Sequence, residues 1–122
     1  MKGEQYMKNY EIGHADGART EFHQKLGLTG AEVSINNLDK GASVPFIHSH
    51  KENEEIYIIT EGCGTLNIDD DSIEIKKGNV IKISPKGKRQ LFSSANEKMS
   101  YICIQVKENP LTEYTENDAI ID

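Results

Sequence analysis

Two histidines and a glutamate lie close together in the segment FIHSHKENEEIYIITEG, which runs from residue 46 to residue 62. Residues two apart in a β-strand point to the same face, so the imidazoles of His48 and His50 should project side by side. Glu55 begins an apolar run that is typical of the next strand. Two imidazoles and a carboxylate converging from adjacent strands form a ligand set that suits a divalent transition metal and leaves coordination positions open.

The spacing by itself leaves alternatives open. H-x-H pairs are frequent by chance, so His48 and His50 could equally be surface residues of a polar loop. Glu54 competes with Glu55 for the carboxylate role, and only the sequence distance to Gly62 favours Glu55.

The rest of the chain reads as many short strands. Apolar residues alternate with a period of two, and turn signals recur about every ten residues, a pattern typical of an all-β sandwich or barrel. The segment GTLNIDDDSIEIKKG predicts a hairpin around Asp70. The predicted strands include AEVSINNL, EIYIIT, NVIKIS and MSYICIQV.

The two ends of the chain fall outside this pattern. Residues 1–29 predict an N-terminal extension, with a loop and an added edge strand, before a β-barrel over residues 30–107. Residues 108–122 form a tail after Pro110, in which Thr115 and Asp118 resemble a weak capping box. We expect a short turn or helix there.

Composition narrows the class of protein. The chain has 122 residues, with 36% hydrophobic and 28% charged residues, as expected of a single globular domain. Its net charge of -6 argues against nucleic acid or an anionic membrane as a partner. The N-terminus has no apolar signal core, and two cysteines 40 residues apart form no disulfide framework. We therefore expect a cytoplasmic protein.

The order of these residues resembles the two motifs of the cupin superfamily over residues 30–107. A glycine, H-x-H, a glutamate and a glycine make up the first motif; the second has a glycine, a proline, a glycine and a histidine. In this sequence the gap from Gly41 to His48 and the gap from Gly78 to Pro85 are each one residue longer than usual. The resemblance implies an all-β, single-domain cupin jelly-roll barrel. The matching residues are Gly41, His48, His50, Glu55 and Gly62, then Gly78, Pro85 and Gly87.

The histidine of the second motif is replaced by Gln90. A glutamine carbonyl is a weaker ligand than imidazole, so Gln90 could bind the metal, hold a metal-bound water, or do neither. The resemblance implies a site of His48, His50, Glu55 and Gln90 for Fe, Mn, Ni, Co, Cu or Zn. Some cupins have lost the metal and only bind a ligand, which the missing histidine also favours.

Strand alternation predicts a pocket beside the metal. Counting from His50, Glu55 and Gln90 puts four aromatic or aliphatic residues on the inner face, and Tyr57 and Tyr101 are candidate proton donors. On the predicted strand 99–106, alternation does not decide which of the two faces points inward. We expect its aliphatic set to pack between the sheets. Lys86, Lys88 and Arg89 predict a solvated turn, and the alternative is a cationic lip that steers a carboxylate or phosphate substrate toward the site. The pocket candidates are Phe46, Tyr57, Ile59, Phe92 and Cys103.

Two functions are compatible with these residues. One is a metalloenzyme, a dioxygenase, isomerase or lyase, acting on a small organic substrate. The other is a non-catalytic module that binds a sugar or an acid. The resemblance to small cupins implies a homodimer. The long apolar strands, whose edges and faces need covering, give a physical reason for the same expectation.

Overall fold

The computed structural model describes residues 8–121, and these contain eight strands and one short helix. The N-terminal strand β1 is followed by the helix α1, and seven further strands follow. Their bounds are β1 Arg19–Glu21, α1 His23–Leu26, β2 Glu32–Leu38, β3 Asn53–Glu61, β4 Cys63–Ile68, β5 Asp71–Lys76, β6 Val80–Ile83, β7 Arg89–Ser93 and β8 Met99–Lys107.

The strands form two antiparallel sheets, as the predicted all-β fold requires. The larger sheet has the order β1-β2-β8-β3-β6, and the smaller has the order β5-β4-β7. The hairpin of β4 and β5 turns at Asp69, which has a positive φ of 53°. The sheets face each other as the two walls of a jelly-roll barrel, and side chains from both form its core.

The core between the sheets is apolar at one end of the barrel. Alternate residues of β3 and β8 face inward, as a half-buried strand demands, and they meet side chains from the smaller sheet. The buried cluster is Tyr57, Ile59, Leu66, Ile75, Ile83, Leu91, Met99, Tyr101 and Cys103.

The inner face of β8 carries Tyr101 and Cys103, which corrects our expectation that its aliphatic set packs between the sheets. Cys103 pairs with Ser34 of β2 and Tyr57 of β3, and all three are buried. Tyr57 and Cys103 thus face inward, where both line a cavity. Ile102 and Ile104 are left on the outer face, where they are half-buried.

The segments before β2 and after β8 contain little regular structure. β1 pairs with β2 at the edge of the larger sheet, and Phe22, which follows it, is buried against Gly13. In the tail, residues 115–118 form a turn that Ala119 closes by donating to the carbonyl of Thr115. Within residues 8–121, no helix is long and apolar enough to cross a membrane.

Gly62 turns the chain from β3 into β4, and its backbone requires glycine. Its φ is 72°, in the left-handed region that residues with a Cβ avoid. A Cβ there would also collide with the carbonyl oxygen of Lys98. The first-motif glycine is therefore needed for the backbone and not for the chemistry.

We expect Gly62→Ala to lower the free energy of unfolding by about 2 kcal/mol or more, because strain and a clash add. Gly30→Ala is the control, since Gly30 lacks a positive φ and its Cβ would meet open space. That variant should change stability by less than about 0.5 kcal/mol. Urea denaturation of both variants gives the values, and equal losses would contradict this account.

Candidate metal centre

The H-x-H segment lies along the end of strand β7, held by backbone hydrogen bonds. The N–H of His48 donates to the carbonyl of Arg89 at 3.1 Å, and the N–H of Arg89 donates back to His48 at 2.9 Å. The N–H of His50 donates to the carbonyl of Pro85 at 2.8 Å. This pairing holds both histidines at the edge of the barrel and turns their rings toward each other, with centroids 5.2 Å apart.

Glu55 meets the two histidines from strand β3. Its carboxylate is buried, with Oε2 3.0 Å from His50 Nε2 and Oε1 3.9 Å from His48 Nε2. The three residues offer ligand atoms that all lie within 4.8 Å of one another. Glu54 pairs with Val106 on the opposite face of the sheet, so β3 selects Glu55 from the two glutamates.

Arg89 is the residue of the site that sequence reasoning missed. It is fully buried, and its Nη1 donates to Glu55 Oε1 at 2.8 Å. Its other N–H groups donate to backbone carbonyls of the turn between β6 and β7, at Gly87, Ser84 and Pro85. The predicted solvated turn is wrong for Arg89, whose alternation with Leu91 along β7 gives it a buried position.

The expected place of Gln90 in the metal site is wrong. Gln90 pairs with Asn67 on β4, and its Nε2 donates to the carbonyl of Val44 at 2.7 Å. The reason is the register of β7: Leu91 packs in the core, so its neighbours two residues apart, and not Gln90, face inward. Gln90 instead lines a shallow depression of about 610 Å³ beside the acidic hairpin.

The same register corrects the placement of Phe92. Phe92 alternates with buried Leu91 and Ser93, pairs with Thr65, and is half-buried on the other face of the small sheet. It is absent from the residues that line the cavity beside His48.

That cavity has a volume of about 420 Å³ and opens next to the histidines. Phe46, Tyr57 and Cys103 are among the residues that line it. The ring of Phe46 stacks edge-on against His48 at 5.5 Å. Ile59 is buried in the core and does not line the cavity. Tyr101, a candidate proton donor, does line it.

The two tyrosines keep their protons. Burial raises the pKa of Tyr57, and Glu55, whose Oε1 accepts its hydroxyl hydrogen bond at 2.8 Å, raises it further. Burial also raises the pKa of Tyr101 to about 12 and that of Cys103 to about 12. Tyr57 is therefore a group that positions Glu55, whereas the hydroxyl of Tyr101 is not tied to that carboxylate.

The charge states of Glu55 and His48 suit metal binding. Burial works to raise the pKa of Glu55, but hydrogen bonds from Tyr57 and Arg89 outweigh it and the pKa falls below its usual value. Burial lowers the pKa of His48, against the attraction of Glu55. An ionised carboxylate and a neutral imidazole are the forms that bind metals.

The residues present fit a divalent transition metal. The Nδ1 of His48 is buried and has no hydrogen-bond partner among residues 8–121. Glu55 Oε1 is occupied by Tyr57 and Arg89, while Oε2 faces His50. Two imidazoles and one such oxygen form a two-histidine, one-carboxylate set.

Comparisons with known proteins agree with the fold. A family model described as a cupin domain matches residues 35–105. A cupin protein from Bacteroides fragilis, BF4112, has a crystal structure that is 49% identical, covers 95% of this chain and 99% of its own, and superposes with a TM-score of 0.91. A sugar phosphate isomerase of the cupin superfamily from Silicibacter pomeroyi is 18% identical over 81% of this chain and 72% of its own, with a TM-score of 0.64.

Among curated proteins, the uncharacterized protein MJ1618 of Methanocaldococcus jannaschii is 36% identical over 61 residues. The match covers 50% of this chain and 49% of that protein, so it spans about half the length of the curated relative.

We expect Arg89→Met to lower the free energy of unfolding of the metal-free protein by about 3–5 kcal/mol, because Glu55 would be left buried and unpaired. Adding Glu55→Gln should recover part of that loss, which a double-mutant cycle in urea measures. Lys107→Met is the control, since Lys107 pairs with Glu52 at 3.8 Å on the exposed surface. Lys107→Met should lower the free energy of unfolding by less than about 1 kcal/mol. An equally small loss for Arg89→Met would contradict the buried ion pair.

Proposed function

The chain belongs to the cupin domain family, and from this premise we propose that it is a metal-binding cupin that acts on a small organic substrate. The observation that carries the proposal is the convergence of His48, His50 and Glu55 beside the cavity, which His48 and Glu55 line. The reaction we favour is that of a dioxygenase, isomerase or lyase.

In this proposal, His48, His50 and Glu55 hold a divalent ion such as Fe, Mn, Ni, Co, Cu or Zn. The ion supplies Lewis acidity or activates dioxygen when it is bound. Arg89 and Tyr57 orient Glu55 and keep it ionised, and the cavity walls exclude water from the substrate. Tyr101, with its proton retained, is the candidate acid on the cavity side.

The alternative function is a module that binds a sugar or an acid without catalysis. Arg89 favours this alternative, because its guanidinium already neutralises Glu55 and thereby weakens the attraction of that carboxylate for a cation. The two readings differ in whether the purified protein retains a metal.

We propose further that the protein is a homodimer and that the outer face of the larger sheet is the contact between the copies. Cross-strand rows place half-buried aliphatic side chains next to one another on β2, β8 and β3, with no described segment covering them. A contiguous apolar face of this kind usually marks an interface. The face consists of Val33, Ile35, Ile56, Ile58, Val80, Ile102, Ile104 and Val106.

Thiols and charge support a proposal for the location and the partners. We propose a cytoplasmic protein, because Cys63 and Cys103 are both free thiols. The net charge of -6 disfavours nucleic acid as a partner.

Elemental analysis of protein purified without a histidine tag tests the metal centre. We expect a near-stoichiometric transition metal in the parent and its loss in His48→Ala/His50→Ala. His14→Ala/His23→Ala is the control, because both of these histidines are exposed and lie outside the site. A parent that takes up no metal, even after incubation with each of the six ions, would leave only the binding module.

Light scattering tests the interface. Ile102→Glu/Ile104→Glu should convert a dimer into a monomer, because it puts two charges into an apolar contact. Ile73→Glu is the matched control, since Ile73 is 44% exposed on the other sheet, and it should leave the dimer unchanged. A parent that is monomeric at micromolar concentration would rule out the homodimer.

A further inference from the structure

Strand β1 brings an arginine to the cavity from outside the segment that matches the family model. Arg19 lies ahead of residues 35–105, yet it pairs with Asn36, which in turn pairs with Tyr101. Residues in one cross-strand row share a face of the sheet. Arg19 therefore stands on the inner face, and it lines the same cavity as His48 and Glu55.

Hydrogen bonds hold the guanidinium of Arg19 in place but use only some of its N–H donors. Nη1 donates to Asn36 Oδ1 at 2.7 Å, and Nη2 donates to Glu21 Oε2 at 3.0 Å. Asn36 is itself fixed, because it is buried and its Nδ2 donates to Ser34 Oγ at 3.0 Å. Among the described residues, these two bonds are the only side-chain contacts of its five N–H groups, so three N–H groups remain for a ligand.

The charge of Arg19 acts inside the cavity. Burial raises the pKa of Tyr101, and the positive charge of Arg19 offsets part of that rise. The side chain is 47% exposed, so it stands at the mouth and contacts both solvent and cavity. An ionic group that enters the cavity would meet this cation as well as His48.

Arg19 is the cation of the cavity lining that Glu55 does not neutralise. Glu55 is the one acidic residue among those that line the cavity, and Arg89 already neutralises its carboxylate at 2.8 Å. Apart from His48, the other polar residues of the lining are neutral amides, hydroxyls and a thiol, such as Asn37, Gln105 and Ser43. The carboxylate that pairs with Arg19, that of Glu21, is 58% exposed and lies outside the lining.

We infer that Arg19 binds the carboxylate of a small hydroxy or oxo acid whose oxygen-bearing carbon lies toward His48, His50 and Glu55. This inference rests on the proposed function, because it names the substrate class of the same site. A planar guanidinium with several free N–H groups matches a carboxylate. A single cation in a cavity of about 420 Å³ suits one such group better than a phosphate dianion.

Binding measurements by calorimetry test the inference on the full chain. The probes are lactate, glycerate, pyruvate and gluconate, each paired with its neutral amide, plus inorganic phosphate and glycerol phosphate. The parent should bind at least one carboxylate, and bind it better than its amide or either phosphate. Arg19→Gln should weaken the binding of that carboxylate by about tenfold or more and leave the binding of the amide unchanged.

Two further variants separate a specific contact from general charge or misfolding. Lys25→Gln removes one positive charge from the exposed surface of α1 and should leave carboxylate binding unchanged. Glu21→Gln removes the carboxylate that competes for Arg19 and should strengthen binding by about two- to fivefold. Opposite effects of Arg19→Gln and Glu21→Gln cannot arise from loss of folding.

Metal content is measured on the same samples, so that the two proposals fail separately. If the metal is present but no carboxylate binds better than its amide, the substrate class is overturned and the metal centre stands. If phosphates bind best, the carboxylate assignment is overturned. If the metal is absent but Arg19→Gln still weakens a carboxylate, the inference holds for the binding module and the enzyme reading fails.

Discussion

The ion pair of Arg89 with Glu55 is the interaction on which the rest of the site depends. A buried charge is tolerated only when it is paired and hydrogen-bonded, and here each partner satisfies the other. Arg89 also binds the carbonyls of Gly87, Ser84 and Pro85, so the turn between β6 and β7 is tied to β3 through one guanidinium. His48 and His50 hydrogen-bond to that same stretch of backbone, which sets their distance from Glu55.

This ion pair also shapes the chemistry available to the cavity. Arg89 and Tyr57 occupy one oxygen of Glu55 and leave the other on the side of His50. A guanidinium at this position lowers the negative potential that a cation would otherwise meet, so weaker metal binding and easier exchange are expected than with a free carboxylate. The same neutralisation leaves Arg19 as the cation of the cavity lining that Glu55 does not pair.

The two faces of the larger sheet carry opposite kinds of residue. Ser34, Asn36 and Tyr101 face inward and line or border the cavity, whereas Ile102 and Ile104 face outward. At this end of the larger sheet an apolar run therefore does not mark the interior, although Ile59, Ile83 and Met99 of the same sheet lie in the core. Hydrogen-bonding groups line the cavity here, and the aliphatic side chains lie on the outer face.

The sequence by itself determined the features that depend on neighbours along the chain. Strand alternation, the hairpin at Asp70 and the shared face of His48 and His50 were readable in this way, because residues two apart share a strand face. The cupin motifs were recognised as a resemblance in the order of residues. Tertiary structure decided what depends on pairing between distant strands. A shift of one residue moves every side chain of a strand to the other face, so packing of Leu91 against Leu66 put Arg89 in the site and Gln90 outside it. Arg19 reached the cavity only through the pairing of β1 with β2, a contact that no local pattern specifies.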